Sequence, residues 1–406
     1  MSSLAPGAGP SGPLRGLRIL DLATLLAGPL ASTLLADLGA EVVKIELPDG
    51  RDALRALPPH KQGVPLWWKV SNRNKRGITL DVRKAQGRAL FLRLLSEFDV
   101  LVENFRTGTM DGWDLGREAL FAAKPTLTIL RVTGFGQTGP DRQKPGFARV
   151  FEAMSGYTYL NGFPDGPPLN AGFPLADSVA GLFGALGIVA AAYRRLRHPD
   201  APGEEIDLSA TEAIFRTLDF LAIEYDQLGV VRERLGNMSA YSAPSNIYRT
   251  RDGKWVSMAV SSQSMFEHLC GAMERPELLR DARFADNPAR VANRGALDLL
   301  VAAWIAARDL TQVVEILTRH EVTFSPVYSI RDVFEDPHFR ARGMIETVVD
   351  RELGPVKMQC VVPRFATAPG SIHATGPELG QDNDEIYGAL GLDATALEAL
   401  RAKGVI

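Results

Sequence analysis

The chain has 406 residues, and its 45 lysines and arginines against 48 aspartates and glutamates give a net charge of −3. An apolar share of 46% and a charged share of 23% exclude a disordered or fibrous chain. The near-neutral net charge gives no sign of the basic surface that nucleic-acid-binding proteins carry. Two cysteines cannot build a disulfide framework or a four-thiolate metal site. The longest apolar stretch, 179–193, is too short to cross a bilayer. We therefore predict a cytoplasmic protein with no metal, nucleic-acid or membrane partner.

The first 135 residues alternate between short apolar runs and segments with helical spacing. The runs suited to buried strands are residues 17–22, 42–45, 78–82, 100–103 and 126–133. Helices are predicted between them, one opening near Pro29 and ending at Gly39, another over 84–98. Strands separated by helices of this length imply right-handed crossovers, so we predict an α/β fold with a Rossmann-like parallel sheet.

The same pattern raises the possibility of a dinucleotide cofactor. Glu46 ends the second predicted strand, where a Rossmann fold places the acid that binds ribose. The turn after the first strand reads Leu26-Ala27-Gly28-Pro29, however, and lacks the GxGxxG loop that lets backbone approach a pyrophosphate. The sequence therefore predicts the sheet without a nicotinamide site.

Composition and periodicity divide the chain into four stretches. Residues 1–16, rich in Pro, Gly and Ser, are predicted to be a flexible tail, and 17–225 to form a large domain. A hairpin signal lies within 226–326, which we predict to be a smaller inserted α+β domain. Residues 327–406 then return to the large domain and end in a helix over 384–400.

A lone aspartate, Asp177, stands in the segment 172–181 at the opening of a long apolar helix. On pattern alone it is an N-cap that accepts hydrogen bonds from the first turn. The position also suits a nucleophile, because a helix N-terminus holds a carboxylate ionised and partly desolvated. Small residues that would let a bulky ligand approach surround it: Ala176, Ser178, Gly181 and Gly184.

Three further segments have features of an anion site. Asn104, Phe105 and Arg106 follow the fourth strand, at the carboxyl edge where open sheets bind ligands. A glycine-rich loop, 133–140, follows the fifth strand. Basic residues flank the third strand: Lys69, Arg73, Lys75, Arg76, Arg83 and Lys84. Each segment also has an ordinary interpretation as a solvated loop or a charged helix start.

Taken together and in order, these segments resemble the class III CoA-transferase family, which contains formyl-CoA and carnitine CoA-transferases and has alpha-methylacyl-CoA racemase as a relative. The matching stretches are 16–46, 72–88, 99–110, 133–140, 174–188, 202–213 and 325–344. The resemblance implies a homodimer of two ring-shaped, interlocked chains, with active sites where the large domain of one meets the small domain of the other. It also implies coenzyme A and acyl-CoA as substrates, with no tightly bound cofactor.

The resemblance further implies CoA transfer from an acyl-CoA donor, such as succinyl-CoA, to a small carboxylic or dicarboxylic acid. Asp177 matches the nucleophile, which forms a mixed anhydride and then an aspartyl-CoA thioester. The predicted CoA contacts, including three members of the basic cluster, are Ala27, Lys75, Arg76, Leu80, Arg83, Asn104, Phe105, Arg106 and Lys144. Predicted contacts to the acyl or acceptor group are Gly134, Gly136 and Arg149.

Several positions depart from the formyl-CoA enzymes. The first-turn glutamine of those enzymes is Leu26 here, and their arginine after the second strand is Leu47. Ala148 replaces a family carboxylate, and Arg149 follows it, suited to a remote carboxylate of the acceptor. These changes argue against formyl-CoA and oxalate as the substrate pair.

Two alternative functions share the scaffold. A 2-methylacyl-CoA racemase needs a His in a Gly-His-Asp stretch, which here reads Gly146-Phe147-Ala148, and no His lies between His60 and His198. A CoA-binding protein that has lost catalysis is the other alternative, and the intact nucleophile argues against it.

Overall fold

The computed structural model describes residues 12–406, so residues 1–11 of the predicted tail lie outside the described residues. The strands are β1 Arg18–Asp21, β2 Glu41–Glu46, β3 His60–Lys61, β4 Val64–Pro65, β5 Arg76–Thr79, β6 Val100–Glu103, β7 Thr128–Thr133, β8 Glu204–Ser209, β9 Ser245–Arg249, β10 Trp255–Ala259, β11 Phe324–Pro326, β12 Ile345–Asp350 and β13 Gly354–Gln359.

The helices up to residue 228 are α1 Ala27–Asp37, α2 Ala53–Ala56, α3 Leu66–Ser71, α4 Ala85–Leu95, α5 Thr109–Gly112, α6 Arg117–Ala123, α7 Ala148–Met154, α8 Tyr157–Leu160, α9 Leu175–Arg197, α10 Ala210–Thr217 and α11 Leu221–Leu228. Those that follow are α12 Gln263–Ala272, a 3-10 helix Pro276–Arg280, α13 Asn287–Ala292, α14 Arg294–Ala306, α15 Leu310–Arg319, α16 Ile330–Glu335, α17 Pro337–Ala341, α18 Asn383–Ala389 and α19 Ala394–Ala402.

Contacts divide the chain into two compact units. The larger unit contains the described residues up to Tyr157, together with Asn170–Gln227 and Ala341–Ile406. The smaller contains Thr158–Leu169 and Leu228–Arg340. The predicted insertion at 226–326 differs from this division, because the smaller unit also includes a short segment before α9 and continues to Arg340.

The larger unit is built on six parallel strands in the order β5-β2-β1-β6-β7-β8. Counted in chain order within this sheet, that order is 3-2-1-4-5-6, the arrangement of a Rossmann fold. The order reverses between β1 and β6, and ligands of such sheets bind outside the carboxyl ends at this point. Apolar clusters cover both faces of the sheet, which explains why its strands read as continuous apolar runs.

Helix α9 crosses one face of this sheet and packs closely on α1. A Cβ placed on Gly181 would lie 2.9 Å from Leu30, and one on Gly184 would lie 3.1 Å from Ala31. These glycines therefore let the two helices approach each other, rather than admitting a ligand as predicted. By length and composition α9 is long and apolar enough to cross a membrane, a test that the core helices of soluble proteins also pass. The apolar segment is therefore longer than the predicted stretch 179–193.

One side of α9 is apolar and exposed. Its residues recur at spacings of four and three, and we call them the α9 stripe: Leu182, Leu186, Val189, Tyr193 and Leu196. Leu186 is 62% exposed and Leu196 is 80% exposed. A helix with one face on the sheet and a second apolar face left open has a surface suited to another partner.

Local breaks account for two differences from the predicted elements. The helix predicted over 384–400 is two helices, α18 and α19, separated by Gly391 at a φ of 83°. The third sheet strand ends at Thr79 rather than at Val82, and Leu80 and Arg83 belong to the turn that follows it.

The smaller unit has its own antiparallel sheet, in the order β11-β10-β9. The hairpin between β9 and β10 is the one that the sequence predicts, with Gly253 at a φ of 77°. Its core contains residues of α12, α14 and α15 packed against the sheet, among them Phe266, Val301 and Leu317.

Candidate active site

A cavity of about 210 Å³ lies in the larger unit, at the carboxyl ends of β1, β6 and β7. The residues that line it are Thr24, Leu25, Leu26, Ala27, Asn104, Phe105, Arg106, Val132, Thr133, Gly134, Arg142, Lys144, Gly146, Phe147, Phe151, Asp177 and Ala210. This is the switch point of the sheet, and we call it the acyl cavity. It brings together the predicted nucleophile and five predicted CoA contacts: Ala27, Asn104, Phe105, Arg106 and Lys144.

Asp177 lies in the first turn of α9, three residues after Pro174, the residue that precedes the helix. It is not the N-cap that the pattern favoured, because its side chain makes no capping hydrogen bond. Within residues 12–406 its carboxylate forms no hydrogen bond or ion pair. Burial raises its pKa to about 6, and the charge of Glu152 contributes to that rise. A half-buried carboxylate without a cation beside it is a stronger nucleophile than a solvated one.

A second cavity of about 220 Å³ lies along the same sheet edge, next to the turns after β2 and β5. Thr24 and Phe105 line both cavities, so the two spaces share a wall. Leu80 and Arg83, both predicted CoA contacts, line this second space together with Arg51. Two arginines at the rim of a mainly apolar cleft suit a ligand with an apolar body and phosphate groups.

Buried hydrogen bonds fix the turns that form these walls. The Asn104 side chain accepts from the Thr24 N–H and donates to the Thr24 carbonyl, both at 2.7 Å, and so joins the turns after β1 and β6. Glu103 accepts from the Phe105 N–H at 2.8 Å and pairs with Arg131 at 3.1 Å. Burial raises the pKa of Glu103 to about 7 despite that arginine. These hydrogen bonds therefore fix the position of the loop that carries Arg106.

Two predicted CoA contacts lie away from both cavities. Lys75 is buried, and its Nζ bonds Asp21, Asn72 and the Pro29 carbonyl at 2.8–2.9 Å. Burial lowers the pKa of Lys75 to about 8. Arg76 opens β5, at the end opposite the carboxyl edge, and pairs with Glu385 at 2.9 Å. Both side chains are bound to other groups of the protein and neither lines the acyl cavity or the second cavity, so we leave Lys75 and Arg76 out of the site.

The rest of the predicted basic cluster is also paired within the protein. Lys69 bonds Asp350 and Glu352, Arg73 bonds Asp37, and Lys84 bonds two C-terminal carbonyls. Arg83 pairs with Asp81 through its Nε at 2.7 Å, yet it still lines the second cavity.

The predicted acyl and acceptor contacts divide in the same way. Gly134 lines the acyl cavity, whereas Gly136 is buried beside it, and its carbonyl accepts from Thr107 at 3.5 Å. Arg149 is exposed on α7 and lines neither cavity. Lys144 lines the acyl cavity but pairs with Asp141 at 2.7 Å.

Sequence reasoning missed two charged residues of this region. Arg142 lines the acyl cavity, and no carboxylate among the described residues pairs with it. Glu152 is completely buried on α7, next to the first turn of α9. The only signal for Arg142 was its place just after the glycine-rich loop, and Glu152 stood within a helical stretch without any motif.

A Rossmann-type sheet with a desolvated carboxylate at its switch point and a cleft lined by two arginines beside it suits an enzyme that binds a phosphate-bearing substrate near a nucleophilic group. The sequence profile of CoA-transferase family III matches residues 14–383. The chain belongs to this family and is an enzyme of the CoA-transferase type.

Individual relatives agree over almost the whole chain. It is 43% identical to the succinyl-CoA–D-citramalate CoA-transferase of Chloroflexus aurantiacus, over 98% of this chain and 99% of that one. It is 31% identical to the succinate–glutarate CoA-transferase of Agrobacterium fabrum, over 93% and 96% of the two chains. Among solved structures, a CAIB/BAIF family protein from Brucella suis superposes with a TM-score of 0.83 at 34% identity, covering 94% of this chain and all of that one.

Proposed function

We propose that the enzyme transfers CoA from succinyl-CoA to a small dicarboxylic or related acid, with Asp177 as nucleophile. The observation that carries this proposal is Asp177 itself, a desolvated carboxylate in a cavity at the switch point of the sheet. The relatives named above add support, since their names join succinyl-CoA or succinate to acids with two carboxyl groups.

The reaction proceeds by exchange at one carboxylate. An Asp177 oxygen attacks the thioester carbonyl carbon, the C–S bond breaks, and the electron pair leaves with CoA as a thiolate. The thiolate then attacks the aspartyl carbonyl of the anhydride and releases succinate. The acceptor carboxylate attacks the aspartyl carbonyl of the resulting thioester, its C–S bond breaks, and a second mixed anhydride forms with release of the CoA thiolate. The thiolate then attacks the acceptor carbonyl of this anhydride, which gives acceptor-CoA and frees the Asp177 carboxylate. No proton transfer is needed, so the site requires no general base.

Enclosure and charge at the acyl cavity suit these intermediates. Leu25, Leu26 and the buried Phe151 give it apolar walls, which limit the access of water to the anhydride and the thioester. Arg142 faces the same space without a carboxylate partner among the described residues, so we assign it, instead of Arg149, to the remote carboxylate of succinyl or acceptor.

Phe147 also separates this proposal from racemisation. It occupies the place of the His that a racemase uses as a base, and its ring lines the acyl cavity. A phenyl ring cannot exchange a proton, so a two-base mechanism has no second base here.

A homodimer is part of the proposal, in the interlocked form that the family resemblance implies. The α9 stripe supports it, since an apolar row at heptad spacing is the surface that a second copy of the chain would cover. Light scattering from micromolar to nanomolar protein tests it, and a monomer throughout contradicts it. We propose a cytoplasmic location, consistent with two buried free cysteines.

The deciding experiment is a matrix of donors and acceptors followed by mass spectrometry. Succinyl-CoA, butyryl-CoA and acetyl-CoA are each incubated with mono- and dicarboxylic acids, and new acyl-CoA species are identified. In parallel, hydroxylamine with succinyl-CoA converts the activated Asp177 to a hydroxamate, a gain of about 15 Da on its peptide. The Asp177→Ala variant is the control. Full transfer by that variant, or modification at another residue, contradicts the mechanism.

A further inference from the structure

Glu152 is a buried carboxylate that the exchange steps above do not use. It stands on α7 directly after Phe151, whose ring lines the acyl cavity, and its own side chain is 0% exposed. Oε1 accepts a long hydrogen bond of 3.4 Å from the Ala176 N–H, in the first turn of α9. Oε2 is buried and has no hydrogen-bond partner within the part of the chain that the structure describes. Burying a carboxylate that has only one long hydrogen bond destabilises the folded state. We therefore look for a functional role of Glu152 at this position.

The charged residues on the helices and strands that pack against α9 define the electrostatic surroundings of Asp177. Helix α9 packs against α1, α7, α10, β7 and β8. On these elements the other charged groups are paired elsewhere or exposed: Asp37 on α1, Arg149 on α7, Glu212 and Arg216 on α10, Arg131 on β7, and Glu204, Glu205 and Asp207 on β8.

Three cations line the wall of the acyl cavity: Arg106, Arg142 and Lys144. Lys144 pairs with Asp141, and within the described residues none of the three forms an ion pair with Asp177. Glu152 is the neighbouring charge that raises the pKa of Asp177, in addition to burial.

We propose that Glu152 is a positioning residue for acyl transfer, which fixes the first turn of α9 and holds a buried negative charge beside Asp177. The proposal rests on Asp177 being the nucleophile. When an Asp177 oxygen bonds to the thioester carbon, its negative charge moves to the departing thiolate. The repulsion between the two carboxylates is then relieved, so Glu152 disfavours the free enzyme more than the transition state.

The isosteric change Glu152→Gln tests this role, because the amide oxygen keeps the bond from Ala176 while the charge is removed. The acid limb of kcat/KM against pH follows ionisation of Asp177, and we expect it to move down by about one pH unit. The plateau of kcat/KM should fall up to about tenfold, the factor that corresponds to one unit of pKa. Glu152→Asp keeps the charge and should leave the limb in place. Glu315→Gln, on an exposed helix, is the matched control and should change neither quantity.

A titration of the wild-type protein depends neither on enzymatic activity nor on the folding of a Glu152 variant. Carboxyl-labelled aspartate is titrated by ¹³C NMR, and the signal missing in Asp177→Asn identifies Asp177. We expect this signal to titrate with a midpoint near 6. A single midpoint near 4, the ordinary value for aspartate, overturns the proposal, as does an acid limb that Glu152→Gln leaves unmoved. Absence of transfer from every acyl-CoA would instead contradict the proposed function, while the NMR titration would still measure the pKa of Asp177.

Discussion

Replacing Asp177 by asparagine should abolish transfer and make the folded protein more stable above neutral pH. The pKa of Asp177 rises from 3.8 to about 6 on folding, chiefly through burial and further through Glu152. Because the folded-state pKa lies above the unfolded one, the ionised group penalises the folded state. The penalty is absent below pH 3.8, grows between pH 3.8 and 6, and is complete above pH 6.

The size of the effect follows from that difference in pKa. At 1.36 kcal/mol for each unit of pKa, the ionised Asp177 costs the fold about 3 kcal/mol at pH 8. Asparagine carries no charge, and the side chain of Asp177 makes no capping bond that the change would remove. We therefore expect Asp177→Asn to raise the free energy of unfolding by up to about 3 kcal/mol at pH 8 and by almost nothing at pH 4.

Urea unfolding at pH 4, 6 and 8 measures this difference, at one protomer concentration throughout so that dissociation of the proposed dimer would contribute equally to every curve. Asp200→Asn, at an exposed turn, is the control and should leave stability unchanged at every pH. An Asp177→Asn protein that is less stable than wild type at pH 8, or equally shifted at pH 4 and pH 8, would refute the reasoning. Such a result would mean that Asp177 is a helix cap after all.

Three further outcomes follow from the structure. Arg142→Gln should lower kcat/KM for succinyl-CoA by about tenfold to a hundredfold, the loss expected when a charge-assisted hydrogen bond is removed. The kcat/KM for butyryl-CoA, which has no remote carboxylate, should stay almost unchanged. Equal losses for both donors would argue against a contact between Arg142 and the remote carboxylate. Lys75→Met should cost about 3–5 kcal/mol in thermal or urea unfolding, because it leaves Asp21 buried without its closest cation. A fall in CoA affinity without loss of stability would instead restore Lys75 to the binding site. Leu186→Glu places a charge in the α9 stripe and should shift the protein toward monomer by light scattering, and an unchanged dimer would remove the stripe from the interface.

The sheet was predictable because each strand is covered on both faces. Continuous apolar runs, glycine at the end of α1 and regular crossover lengths indicated the strands that later proved parallel. The carboxyl edge was predictable for the same reason, since Asn104 to Arg106 follow a strand directly and must lie at that edge.

The basic residues were misplaced because their partners are far away in sequence. Lys75 meets Asp21 across 54 positions, and Arg76 meets Glu385 on the C-terminal helix pair. A local run of positive charge says nothing about acidic groups that folding brings to it. Glu152 was missed for a related reason, because only the packing of α7 against α9 places it beside the first turn of α9, which carries Asp177.

The two carboxylates and the cations of the acyl cavity sit on different kinds of structure. Asp177 and Glu152 belong to helices packed into the larger unit, whereas Arg142 and Lys144 belong to the irregular segment between β7 and α7. On the proposed function, we expect a change of length or charge in that segment to alter which acid fits without disturbing Asp177. One scaffold would then serve acceptors of different length, with residues 134–147 setting the selectivity.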